Sequence, residues 1–165
     1  YDTKHQPLQE RVRGYRNAVA NKGLCVRGEY IVHYDPTDRN AIGELARRFA
    51  AMTDGPSALI ATDDIAAVEF IEHFDSLGLR VPEDIYVVGF DDREEVRRMR
   101  HQFSTTRPDF ERLGERACEE LIGLVKGDVP SGRIFVHEVP LVIRRHPTGR
   151  IADHSSALAV SAIAE

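Results

Sequence analysis

Residues 79–92, Leu-Arg-Val-Pro-Glu-Asp-Ile-Tyr-Val-Val-Gly-Phe-Asp-Asp, constrain the fold more than any other stretch. Pro82 sets its own φ and the Asp84 carboxylate can bond to nearby backbone, so the stretch opens as a turn. Ile85 to Phe90 is then an almost unbroken apolar run of β-branched and aromatic residues. That is the pattern of a strand buried on both faces of a parallel sheet. The run ends in Gly89-Phe90 and two carboxylates. Open α/β sheets bind ligands beyond the carboxyl ends of their strands, so Asp91 is the first candidate binding residue.

The rest of the chain alternates around this strand. Pro7 opens a helix whose apolar stripe is Leu8, Val12, Tyr15 and Val19, and Gly23 stops it. Glu29 to Tyr34 reads as a strand. Thr37 or Asp38 caps a second helix with the face Ile42, Leu45, Ala46, Phe49 and Met52. Ala58 to Ala61 is a short buried strand, and Asp63 or Asp64 caps a third helix that runs to Leu77. Helices alternating with short apolar strands predict an α/β fold with a doubly wound parallel sheet. The first helix has no strand before it. The first strand of such a sheet is usually central, so this chain should show a gap or borrow a strand.

Beyond Asp92 the pattern changes. Arg93 to Met99 is charged and helical, and Phe103 to Thr106 is short and extended. Asp109 caps a fourth helix with Phe110, Leu113, Ala117, Leu121 and Leu124 on one face, stopped by Gly127. Phe135 to Arg144 reads as a last strand, with Pro140 marking an edge or bulge. Residues 150–165 are expected to be a flexible tail, with a weak helix from Ala157. No internal repeat is present.

Composition narrows the classes. The chain has 165 residues, 42% hydrophobic and 30% charged, with a net charge of -5. That suits a soluble domain or one lobe of a larger protein, and argues against nucleic-acid binding by this chain alone. Cys25 and Cys118 are far apart with no CxxC, so they read as free thiols in a reducing cytosol. No apolar run nears the roughly 20 residues of a membrane span. Tyr1-Asp2-Thr3-Lys4-His5 is neither a signal peptide nor an initiator start, and reads as a cut within a longer protein.

Several segments carry a resemblance. "GLRVPEDIYVVGFDD" resembles a signature of the LacI/GalR family of bacterial transcription regulators. "ERVRGYRNAVANKGL" is similar to that family's Arg-x-x-Gly-aromatic helix start, and "ATDDIAAVEFI" to its Asn-Asp-x-x-Ala segment. "FSTTRPDFERLGERACEELIGLVKGD" resembles its Thr-Thr crossover and Leu-Gly-x-x-Ala helix, and "VPLVIRRHPTG" its closing strand. Together they run in family order from about Leu8 to Gly149.

The resemblance implies one lobe of a periplasmic-binding-protein-like (type I) sensor. Residues 1–106 would be the C-terminal lobe, 107–134 a crossover helix belonging to the other lobe, and 135–149 a returning strand. The helix from Asp109 to Lys126 should then present an apolar face without its natural partner. The implied function is effector binding, with a sugar as the effector, in a cytoplasmic homodimer. Operator DNA would be bound only through an N-terminal domain absent from this chain. No cofactor, metal or membrane enters this reading, and the protein would not be an enzyme.

By position, Arg11, Tyr34, Asp63 and Asp91 would line the effector cleft. Arg11 would give a forked pair of hydrogen bonds. Tyr34 would stack on a ring, and the two carboxylates would accept from vicinal hydroxyls. Asp63 departs from the family, where Asn is usual, which favours a different or cationic ligand. Each has a plainer alternative: a helix-surface ion pair for Arg11, a strand-end residue for Tyr34, a helix cap for Asp63 and a turn for Asp91. Val68, Ile71, Val96 and Met99 form a second apolar set, read as a dimer interface or as extra core.

Other constellations are weaker. Asp63, Asp64, Asp91 and Asp92 could hold Mg²⁺ in an α/β enzyme using Asp63 and Asp91, but no nucleophile or phosphate loop accompanies them. A solute-binding protein for a sugar transporter is the nearer alternative. Arg97, Arg98, Arg100 and His101 follow Glu94 and Glu95 and read as a solvated face. The seven histidines are scattered.

Overall fold

The computed structural model describes residues 6–98, 103–144 and 160–164. The order is α1 (Gln6–Asn21), β1 (Ile31–Tyr34), α2 (Ala41–Ala50), β2 (Ala58–Ile60), α3 (Asp64–Ser76) and β3 (Tyr86–Val88). Then follow α4 (Glu94–Arg97), β4 (Thr105–Thr106), α5 (Phe110–Lys126), β5 (Leu141–Val142) and β6 (Val160–Ala164). The main sheet has the order β1-β6-β2-β3, with every pairing parallel. β4 and β5 form a separate antiparallel pair.

The core lies on one face of this sheet. Phe49 of α2 and Phe70 and Phe74 of α3 pack there with Val32, Leu59, Ile85 and Val87. The Phe70 and Phe74 rings stack with centroids 5.8 Å apart. α1 covers the other face, setting Tyr15 and Val19 on Ile31, Ala58 and Ile60. Both helix stripes fall where the 3.6-residue period puts them.

Four expectations change. The strand from Glu29 begins only at Ile31, because Gly28–Tyr30 forms a 3-10 turn. The Tyr30 ring is buried there, and its hydroxyl bonds the Asp54 carbonyl. α2 starts at Ala41; Asp35 and Asp38 instead close the preceding turns by accepting from the Thr37 and Asn40 amides at 2.8 and 2.9 Å. The central apolar run gives only Tyr86–Val88 as strand, at the sheet's edge, where it alternates half-buried and buried. Its outer side meets the crossover, with the Gly89 amide donating to the Ser104 carbonyl at 2.8 Å. Of the expected last strand only Leu141–Val142 pairs.

The tail is the largest difference. Val160–Ala164 is neither helix nor loose chain but a strand between β1 and β2. It occupies the central position that the sequence left empty.

Val68, Ile71 and Val96 are 7%, 0% and 3% exposed and belong to the core. Their interface reading is replaced by the core one, since they have almost no free surface to give a partner. Met99 lies outside the described residues.

Candidate functional site

Three parallel strands end together. Tyr34 closes β1, Thr62 and Asp63 follow β2, and Phe90 and Asp91 follow β3. The β2–β3 pairing extends past the strands, with the Ala61 amide on the Val88 carbonyl at 2.8 Å and the Asp64 amide on the Phe90 carbonyl at 2.9 Å. This fixes the Asp63 and Asp91 loops side by side.

Arg11 reaches this edge from α1. Its Nη1 donates to the Thr62 carbonyl at 2.5 Å, and its guanidinium lies 3.6 Å from the centroid of the Phe90 ring. The group is half-buried. Desolvation lowers its pKa, while Asp91 and Asp63 act against that loss. Arg11 is thus a cation between two carboxylates, held by a carbonyl and an aromatic face, rather than a helix-surface residue.

Tyr34 is partly buried, which raises its pKa, and its hydroxyl is 3.3 Å from Thr62 Oγ1. Asp63 does cap α3: its Oδ1 accepts from the Ala66 amide at 2.9 Å. A carboxylate has further lone pairs, so capping leaves it able to accept from a ligand. Asp91 sits at φ 99° and Asp92 at φ 50°. Left-handed backbone at non-glycine residues costs on the order of 1–3 kcal/mol each, so the surrounding structure must impose it. The Asp91 amide donates to the Thr106 carbonyl at 3.1 Å, which pins the loop to β4.

Asp92 supplies the rest of that restraint. Its side chain is fully buried and forms ion pairs with Arg97 at 3.1 Å and with Arg107 and Arg144. Burial pushes its carboxyl up, but hydrogen bonds from Arg144 and Arg107 outweigh this, and the net pKa is lowered. Asp64 is buried too. It accepts from Thr105 Oγ1 at 2.6 Å and from the Arg93 amide at 2.8 Å, yet desolvation still raises its pKa. Gly89 is required beside it, since a Cβ there would meet Asp64 Oδ1 at 2.3 Å and the Phe103 ring at 2.6 Å.

Thus the structure brings Arg11, Tyr34, Asp63 and Asp91 to one edge. It separates Asp64 and Asp92 from them as buried, satisfied groups. The four carboxylates do not form a common metal-binding set; among the described residues no three His, Cys, Asp or Glu could hold an ion. Sequence reading missed Thr62, Phe90 and the Asp92 arginines. Thr62 and Phe90 are sequence neighbours of Asp63 and Asp91, which was a usable signal; Arg107 and Arg144 carried none.

The strand ends gather a cation, two carboxylates and an aromatic face at the carboxyl edge of the sheet, where open α/β folds place their ligands. Residues 1–159 match the family model described as a periplasmic binding protein-like domain. The chain belongs to that family, within the effector-binding domains of LacI/GalR-type regulators. It is 34% identical over 137 residues to the HTH-type transcriptional repressor PurR of Photobacterium profundum, covering 83% of this chain and 41% of that protein. The ribose operon repressor of Haemophilus influenzae is 28% identical over 143 residues, 86% of this chain and 42% of the repressor. The transcriptional regulator CelR–cellobiose complex is similar in structure, with a TM-score of 0.70 and 25% identity over 85% of this chain and 42% of that one. A LacI-family regulatory protein from Chloroflexus aggregans, 22% identical, shares the fold at a TM-score of 0.76, over 82% of this chain and 49% of its own. The chain spans about 41% of the length of its curated relatives.

Proposed function

We propose that this chain is the effector-sensing lobe of a bacterial transcription regulator, and that Arg11, Tyr34, Asp63 and Asp91 bind the effector. The observation that carries this is Arg11 held between Asp63 and Asp91 at the ends of β2 and β3. Sugars need that mixture: carboxylates and guanidinium for hydroxyls, an aromatic ring for the C–H face. The relatives include a ribose operon repressor and a regulator solved with cellobiose, which supports a sugar. The relatives are transcriptional repressors and regulators, and with Asp64 and Asp92 already occupied by donors, Asp63 and Asp91 have no third carboxylate beside them for magnesium among the described residues, which favours the sensor over an enzyme using Asp63 and Asp91.

In this reading the described lobe is half of a cleft, and α5 belongs with the other half. α5 has no buried residue, and Phe110 and Leu121 are exposed on it. Ligand bridging the halves would favour one closure angle, and that angle would set DNA binding by a domain outside this chain, in a cytoplasmic homodimer. A ligand shifts such an equilibrium only by its differential affinity for the two states. Among the described residues no helix is long and apolar enough to cross a membrane.

The test is a thermal-shift panel of sugars and nucleobases on the protein extended to its natural start, with Asp91→Ala beside it. One-site binding at 100 times the dissociation constant stabilises by about 2.7 kcal/mol. A sugar hit lost in Asp91→Ala is the expected result. A hit that Asp91→Ala leaves intact would remove these residues from the effector site.

A further inference from the structure

A groove adjoins the effector edge and shares one residue with it. It is open, has a volume of about 540 Å³, and runs from Tyr34 between the start of α2 and the exposed face of α3. Small-molecule sites span roughly 300–1,000 Å³. Tyr34 belongs to both places. Its hydroxyl is 3.3 Å from Thr62 Oγ1 at the strand ends, and its side chain lines the groove. Burial raises its pKa, and the charges of Asp63 and Glu69 add to that. One carboxylate of the effector edge and one of the groove are therefore within electrostatic reach of the same phenol.

The groove has polar walls from two elements. Glu69, Glu72 and Ser76 come from α3, where steps of three and four residues keep them along one face. Asp38 and Arg39 come from the turn before α2, and Pro36 and Ile42 add apolar surface. Asp38 accepts from the Asn40 amide through Oδ1 at 2.9 Å, which leaves Oδ2 to accept from a ligand. Among the described residues, no hydrogen bond or ion pair engages the side chains of Arg39, Glu69 and Glu72. The His73 ring lies against α2 at Gly43, where a Cβ would meet its Cε1 at 2.9 Å. A side chain at 43 would displace that ring, so close packing of α2 on α3 sets this part of the lining.

These groups suit a sugar ring. Carboxylates accept from hydroxyls, a guanidinium offers a fork of donors, and apolar surface takes the C–H face. With His73 neutral, Asp38, Glu69 and Glu72 outweigh Arg39, and a negative groove favours a neutral glycoside over a phosphorylated or acidic one. We propose that this groove is a second sugar subsite, so that the effector is a disaccharide or longer glycoside, with one ring at Arg11, Asp63 and Asp91 and the next beyond Tyr34 between α2 and α3. This assignment rests on the effector reading of the strand ends and adds the length of the ligand to it.

The test is isothermal titration of the protein extended to its natural start. The probes are glucose, galactose and ribose, then cellobiose, maltose and lactose, repeated in Glu72→Ala, Arg39→Ala and Asp91→Ala. Glu72 and Arg39 are exposed, so both groove variants should fold, which melting checks. The expected result is a disaccharide that binds at least about tenfold tighter than the monosaccharides, the factor that one hydrogen bond to a charged group gives. Glu72→Ala and Arg39→Ala should reduce that gain and leave monosaccharide binding unchanged, while Asp91→Ala should weaken both kinds of sugar. A gain that survives both groove variants, or no gain while Asp91→Ala still weakens binding, overturns the subsite and leaves the effector site standing. Binding that Asp91→Ala does not touch, or no binding by any of these sugars, overturns the effector reading and the subsite with it.

Discussion

α3 and α5 begin alike and end differently. Each is capped by an aspartate, Asp63 or Asp109, whose Oδ1 accepts from a backbone amide three residues on at 2.9 Å. Each carries an apolar face. Yet α3 buries Ala66, Ala67, Val68, Phe70, Ile71 and Phe74, while α5 buries nothing. Around α5, Val125, Ile134 and Val136 are 81%, 88% and 91% exposed. Amphipathicity specifies that a helix has a face to cover. It does not specify what covers it: among the described residues the α3 face is buried in the core, whereas α5 meets only the following segment, with Val129 beside Gly123 and Phe135 under Arg116.

The strongest way to break this comparison is to remove large side chains from both helices. Phe70→Ala should cost about 3–5 kcal/mol, because it empties a fully buried site. Leu121→Ala should stay within about 0.5 kcal/mol, because Leu121 is 61% exposed. Urea unfolding measures both. Equal losses would mean that α5 is covered in solution, by a second copy or by other parts of the protein.

A smaller effect is expected at the junction of the two regions. Asp92 follows β3, while its partners Arg107 and Arg144 follow β4 and β5, the strands that lead into and out of α5. Asp92→Asn removes the charge but keeps the shape. Breaking a buried pair costs about 3–5 kcal/mol, and the partly exposed arginines bring the expected loss down to about 2–3 kcal/mol. Amide exchange should rise first at Thr105, Thr106, Leu141 and Val142, with α3 still protected. The pH dependence has a definite sign. The Asp92 pKa is lowered on folding, so its contribution is present above the unfolded value and is lost as the pH falls through the folded one. Acid should therefore loosen β4 and β5 in the intact protein, and Asp92→Asn should flatten that response.

How much of this was legible follows from how local each signal is. The helix stripes, the Asp63 and Asp109 caps and the alternation of helix and strand are written within a few residues, and they are found where read. Asp91 follows from the strand ends of a parallel sheet, whereas Arg11, Tyr34 and Asp63 were legible as a set only through the family resemblance. The Asp92 cluster joins residues 15 and 52 positions apart, which no periodicity announces. β6 was illegible for another reason. Ser161, Ala162 and Ala164 have little strand preference of their own, and the pattern of the tail gives no hint of a waiting gap between β1 and β2. The short Tyr86–Val88 strand shows the same limit, since an apolar run is as consistent with a turn packed on the core as with ladder pairing.

The finest test of the comparison uses the two caps. Both hydrogen bonds have the same length and the same donor position, so the intrinsic cost of Asp→Ala is about 1 kcal/mol at either helix. What differs is the coupling of each helix to the core. Asp63→Ala should lower the global unfolding free energy by about that amount, because α3 cannot fray without exposing Phe70 and Phe74. Asp109→Ala should leave the global midpoint within about 0.5 kcal/mol and show instead as faster exchange in the first turn of α5, since local opening there uncovers no core. Each variant measured by both denaturation and exchange separates the two terms. If Asp109→Ala shifts the midpoint as far as Asp63→Ala, α5 unfolds with the core, and its exposed face must be engaged in the protein in solution.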